Sequence, residues 1–139
     1  MVKNSDSKIK KIDHIGIAVK KIEDHMRYYK DVLKMPFLGF KTVESQKVKV
    51  AMFEIGESVI ELLEPINDDS PISKFLEKRG EGIHHLCYDV DNIEGTLKHL
   101  KDNSIKLINE EPVIGAKGGK IAFLHPKSSG YVLTEISEE

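Results

Sequence analysis

The chain has almost no cysteine: Cys87 is the only one in 139 residues. No internal disulfide can form, which fits a reducing cytoplasm. Long apolar runs are missing as well. The longest are strand-sized, far short of the roughly 20 residues that a membrane-crossing helix needs. Neither sign of charge dominates, since 21 Lys and Arg stand against 23 Asp and Glu, a formal net charge of -2. There is thus no basic field to hold a nucleic acid, and the sequence predicts neither a nucleic-acid nor a membrane partner. The opening "MVKNSDSKIKK" lacks a secretory pattern and reads as a frayed polar tail. What is present, 40% hydrophobic and 32% charged residues, is the composition of a soluble globular protein of one domain or two small fused units.

Two stretches read almost alike, "KIDHIGIAVKKIE" (Lys11 to Glu23) and "GIHHLCYDVDNIE" (Gly82 to Glu94). Placing His14 on His85, an offset of 71 residues, also places Ile12 on Ile83, Val19 on Val90, Ile22 on Ile93 and Glu23 on Glu94. Each stretch is followed by apolar residues at three- and four-residue steps: Ile22, Met26, Tyr29 and Leu33 in the first, Ile93, Leu97 and Leu100 in the second. Those steps predict a helix. "KMPFLGF" and "DNSIKLI" then return the chain to extended structure. "KVKVAMFEI" and "SVIELLEP" predict further strands in the first half, "KIAFLHP" and "GYVLTEI" in the second, with hairpin turns at "GESV" and "PKSSGY". The pattern is β-α-β-β-β twice. The expected organisation is one α+β domain over 1–139, with a first module at about 10–66, a connector at 67–81 and a second module at about 82–137. The connector holds a short helix capped by Asp69 or Ser70, with Pro71 at its first position.

Alternate residues of a strand share a face. His14 lies with Gly16 and Ala18, and His85 with Cys87 and Asp89. A histidine flanked by small residues reads as a pocket wall. The last strand of each half carries one carboxylate among apolar or β-branched residues, Glu61 in "VIELLEP" and Glu135 in "YVLTEIS", 74 residues apart. A buried carboxylate is costly unless a cation or donors compensate it. One strand histidine is usually a satisfied core or surface residue, and one strand glutamate usually faces water. The repeat-matched pairing is what carries the signal. His14, Glu61, His85 and Glu135 form a His2Glu2 set suited to an octahedral divalent ion with open water positions.

At these residues the chain resembles the vicinal oxygen chelate superfamily and, within it, the methylmalonyl-CoA epimerase family. The resemblance spans about Lys11 to Glu135. The histidine strands mark the superfamily; "ELLEPINDDSPISKFL" and "EEPVIGAKGGKIAFLHPKSSG" favour the epimerases. It implies paired βαβββ modules forming a cupped mixed sheet around one metal ion, with His14, Glu61, His85 and Glu135 at the ligand positions. It also implies cobalt as the usual ion, with zinc, nickel, manganese or magnesium as substitutes, a homodimer, and an acyl-CoA substrate. The implied reaction interconverts the 2R and 2S forms of methylmalonyl-CoA through a metal-stabilised enolate, with Glu135 as the first choice of base and Glu61 as the second. One departure stands out: Val50 occupies the place of a proposed catalytic glutamate of some relatives. Glu44 and Lys49 are its nearest ionisable neighbours.

Other polar residues carry weaker signals. His84 alternates away from His85 and becomes the ligand only if the register slips. His25 and His99 sit in helical stretches and read as surface residues. His125 either borders substrate or serves a turn. "GAKGGK" lacks phosphate-loop spacing and reads as a substrate loop or a plain turn. Lys117, Lys120 and Lys127 are candidates for coenzyme A phosphates, set against simple solvated charge. Cys87 reads as core. The competing functions are lactoylglutathione lyase, which shares the ligand set and the enolate chemistry, and a non-catalytic small-ligand-binding protein of the same fold. An iron-dependent dioxygenase would use two histidines and one carboxylate.

Overall fold

The computed structural model describes residues 7–115 and 117–139. The opening tail through residue 6, and Ala116 of the glycine-rich stretch, lie outside the described residues. Two compact units are present: His14–His84, and a second that joins the described residues up to Asp13 to His85–Glu139.

In the first unit the strands are β1 (Ile9–Ala18, from His14 onward), β2 (Phe37–Val43), β3 (Val48–Ile55) and β4 (Ser58–Pro65), in the order β2-β3-β4-β1. β1 and β4 are parallel, and the other neighbours are antiparallel. The β3–β4 hairpin closes on Gly56 and Glu57, with Gly56 at φ 60°, the left-handed conformation that a tight two-residue turn demands and glycine supplies.

Helix α1 (Glu23–Met26) widens into π-helical geometry over Arg27–Val32. The Leu33 amide donates to the Tyr28 carbonyl at 2.8 Å. This differs from the expected regular helical face. The wider turn rotates Leu33 outward, where it is 43% exposed, while Ile22, Met26 and Tyr29 still pack inward. Phe53 lies under them with no exposed surface, its ring 5.5 Å from Tyr29 and 5.3 Å from Phe37. On the opposite face Ala18, Val48, Val50 and Leu63 are covered by Ile72, Phe75 and Leu76 of α2 (Pro71–Arg79). Of the two expected caps the chain uses Ser70, whose Oγ accepts from the Ile72 amide at 3.2 Å.

The second unit repeats the plan with β5 (Gly82–Val90, from His85 onward), α3 (Ile93–Asp102), β6 (Val113–Ile114), β7 (Lys120–Leu124) and β8 (Thr134–Glu138), in the order β5-β8-β7-β6. β5 and β8 are parallel, the others antiparallel. Ile93 and Leu97 pack with Val90, Leu107, Ala122, Leu124 and Ile136, as their spacing predicts. Asn92 caps α3 by accepting from the Gly95 amide.

The expected α+β architecture of two βαβββ modules is present, with two local corrections. "DNSIKLI" does not form a strand. Asn103 ends α3 and Ser104 turns left-handed at φ 67°, so only Leu107 bridges to Leu124. The Asn109 side chain then takes the Phe123 amide at 2.8 Å in place of a ladder bond, and the ladder strand follows at Val113–Ile114. "GYVLTEI" enters its strand only at Thr134, because Gly130 and Tyr131 are both left-handed, at φ 70° and 67°.

One match between the units was not read from the sequence. The Ile22 amide donates to Glu64 Oε1 at 2.7 Å, and the Ile93 amide donates to Glu138 Oε1 at 2.8 Å. Each helix start is thus held by a carboxylate from the last strand of its own unit, which also suits the positive end of the helix dipole.

Candidate metal centre

In the first unit the parallel register sets Gly16 opposite Glu61. His14 stands two residues before Gly16, so it shares that face and reaches diagonally toward the carboxylate. Its Nε2 lies 3.6 Å from Glu61 Oε1. In the second unit Cys87 faces Glu135, and His85 Nε2 lies 3.3 Å from Glu135 Oε1. Gly16 and Cys87 are themselves 71 residues apart, so the two units build the same device at repeat-matched positions. A small residue between histidine and glutamate leaves the imidazole room to reach across.

All four side chains are largely shielded, at 9% and 13% exposure for His14 and Glu61 and 8% and 9% for His85 and Glu135. Such carboxylates need a compensating cation. The two separations exceed the roughly 2.7–2.9 Å of a charge-assisted N–H to carboxylate bond. Two ligand atoms held about 2.1 Å from one ion at right angles lie about 3 Å apart. The spacing within each pair therefore suits a pair of ligands on a shared ion better than a direct ion pair. His14, His85 and Glu135 have the donor chemistry and burial of metal ligands, and Glu61 is the most open of the four. A nitrogen and oxygen donor set of this kind fits a divalent ion.

The neighbours of the pairs differ. Phe123 faces Glu135 across the β7–β8 ladder, and its ring stands 6.0 Å from that of His85. Met52 faces Glu61 from β3. Phe123 was not picked out from the sequence; counting back through the β7–β8 hairpin would have found it.

The remaining candidates sort clearly. Val50 is 5% exposed inside the apolar cluster under α2. Glu44 and Lys49 are exposed, with the Lys49 ammonium 4.7 Å from the Phe40 ring centre. His84 packs edge-on against Phe75, with ring centres 5.0 Å apart. His25 is more than a surface residue, because its Nε2 meets Glu81 Oε2 at 3.0 Å. The Glu81 carboxyl is held below its usual range, first by the Lys20 amide and then by His25. His99 is exposed. His125 serves its turn, with Nδ1 accepting from the Lys127 amide at 3.2 Å. Cys87 is fully buried. Lys117 is paired with Asp13 at 3.2 Å and Lys120 with Glu94 at 2.7 Å. Among the described residues no helix is long and apolar enough to cross a membrane.

Comparison with known proteins bears on this geometry. The profile of the glyoxalase/bleomycin resistance protein/dioxygenase superfamily matches residues 13–123. The chain belongs to this superfamily. A solved structure of a hypothetical protein from Bacillus halodurans superposes with a TM-score of 0.90 at 52% identity, over 93% of this chain and 94% of that one. The mitochondrial methylmalonyl-CoA epimerase of Mus musculus is 36% identical over 132 residues, 94% of this chain and 74% of its own length. A variant of the Streptomyces coelicolor methylmalonyl-CoA epimerase, solved with 2-nitronate-propionyl-CoA, superposes with a TM-score of 0.88 at 33% identity, over 95% and 96% of the two chains. These superfamily relatives share the mixed-sheet fold across nearly the whole of this chain.

Proposed function

We propose that the protein interconverts the 2R and 2S forms of methylmalonyl-CoA. The observation that carries this reading is the repeated pair, His14 with Glu61 and His85 with Glu135, on strands of a chain similar to methylmalonyl-CoA epimerases over almost its whole length. In this reading the four side chains hold one divalent ion, with cobalt the first choice. When bound, such an ion supplies positive charge beside the oxygen on which negative charge develops as the α-proton leaves.

The protein's own groups then do the proton work. Glu135 takes the proton from the carbon between thioester and carboxylate. Return of a proton to the opposite face falls to Glu61, whose greater exposure also admits water in that role. The apolar setting of Val50 leaves no carboxylate at that place on β3, so the second group is sought among the glutamates already at the site. Burial of Glu135 beside Phe123 keeps bulk water from it and orients it against the carbon acid. We further propose that the two modules act as one domain, that the active form is a homodimer, and that it works in the cytoplasm, where its single buried thiol stays reduced.

Proton NMR of methylmalonyl-CoA in heavy water tests the reading. Metal-dependent loss of the α-proton signal is expected. Inertness there, with isomerisation of the methylglyoxal–glutathione adduct, assigns the same site to lactoylglutathione lyase chemistry. Inertness toward both, with ligand binding retained, leaves a binding protein.

A further inference from the structure

The structure divides the lysines of the second unit by what they touch. Lys10, Lys98, Lys101, Lys117 and Lys120 each meet a carboxylate. Among the described residues Lys106 and Lys127 meet none, and both are exposed. One turn, between β7 and β8, ties them together. The Lys106 amide donates to Ser128 Oγ at 3.0 Å and its carbonyl accepts from the His125 amide at 2.8 Å, while the Lys127 amide donates to His125 Nδ1 at 3.2 Å. The turn is closed by the Tyr131 amide on the Pro126 carbonyl at 2.7 Å and by Ser129 Oγ on the Val132 carbonyl at 2.7 Å.

Tyr131 itself is unusual. It holds a left-handed backbone at φ 67°, directly after Gly130 at φ 70°, and its ring is 79% exposed. A bulky side chain in that conformation is strained, and packing of the ring offsets little of the strain when most of it faces water. The turn therefore presents an aromatic face and two unpaired ammonium groups on a rigid frame. It lies four residues before Glu135 along the chain, a reach of at most about 14 Å.

We infer that this turn docks the nucleotide end of the coenzyme A thioester, with Lys106 and Lys127 on its phosphates and Tyr131 against its adenine. The inference rests on the acyl-CoA reading above. Ammonium groups without internal partners are the ones free to meet phosphate, and an exposed aromatic ring is a stacking surface for any base. The whole chain is formally -2, so a polyanionic substrate gains nothing from its overall charge and must be held by local cations. Lys117 and Lys120, committed to Asp13 and Glu94, are not those cations.

The test compares the wild type with Lys106→Gln/Lys127→Gln and with Tyr131→Gly, the latter placing at a left-handed position the residue that favours it. Calorimetric titration with free coenzyme A should show about tenfold weaker binding for the lysine pair, a loss of about 1.4 kcal/mol, and weaker binding for Tyr131→Gly. With methylmalonyl-CoA, KM should rise in parallel with kcat little changed. With methylmalonyl-pantetheine, which lacks the nucleotide, the rise in KM should be absent. Unchanged coenzyme A affinity in the variants, or an equal rise in KM for both thioesters, overturns the docking site. Failure of the wild type to exchange the α-proton overturns the proposed reaction instead, and the coenzyme A titration still decides the docking site.

Discussion

His85 Nε2 stands 3.3 Å from Glu135 Oε1 across a parallel strand pair, with the small side chain of Cys87 between their backbones. The imidazole is edged by Phe123 on one side, and both polar groups are more than nine-tenths shielded. A histidine and a carboxylate this dry, and this far apart for a charged hydrogen bond, are arranged for a third party. The first unit makes the same arrangement from His14, Gly16 and Glu61, at 3.6 Å.

Glu135→Gln should keep the fold, because the amide fills the same volume, yet remove most proton exchange. Loss of a positioned base costs about 10²–10⁴ in rate. Exchange of the α-proton in heavy water measures it, with circular dichroism as the check on folding. Turnover near that of the wild type would remove Glu135 from the role of base.

His14→Ala and His85→Ala should each lower the metal content of purified protein, read by elemental analysis. They should also shrink the rise in melting temperature on adding cobalt to chelator-treated protein. At a hundredfold excess of ion over Kd the wild type should gain about 2.7 kcal/mol. Equal metal content and equal thermal gain in either variant would strike that histidine from the ligand set.

Ser70→Ala should destabilise by about 1–2 kcal/mol. The serine is fully buried, accepts from the Ile72 amide and donates to the Gln46 carbonyl at 3.2 Å, so its loss leaves two buried groups unpaired. Urea unfolding measures the difference, and a value within error of zero would show that neither bond contributes.

Glu81→Gln should make stability less dependent on pH. The folded carboxyl is held low, first by the Lys20 amide and then by His25. Its contribution is therefore present above the ordinary carboxylate range and fades as pH falls through the lower folded value. Since the group is 37% exposed, the variant should lose only about 0.5 kcal/mol at pH 7. The gap to wild type should close below about pH 4. Parallel stability curves across that range would contradict this.

Much of the site was legible because strand periodicity is local. The alternation that set His14 beside Gly16, and His85 beside Cys87, needed only neighbouring residues. The matched offsets of the histidines and glutamates pointed to two equivalent devices without any knowledge of contacts. Less visible were bonds made by residues distant in sequence. Glu64 and Glu138 read as ordinary strand-end acids, although each holds the first amide of a helix more than 40 positions away. His25 read as surface until Glu81 was found beside it.

From the sequence by itself came the duplicated β-α-β-β-β plan, the faces of the histidine strands and the pairing of one histidine with one glutamate in each half, all of which follow from spacing along a single strand or from comparing two stretches of it. Tertiary structure alone decided that Glu61 faces Gly16 and Glu135 faces Cys87, that Lys117 and Lys120 are tied up while Lys106 and Lys127 are not, and that Tyr131 is held out on a left-handed turn. Those outcomes depend on strand register and on partners far along the chain. Side-chain chemistry fixes what a group is able to meet, but only the closed fold selects which partner is within reach.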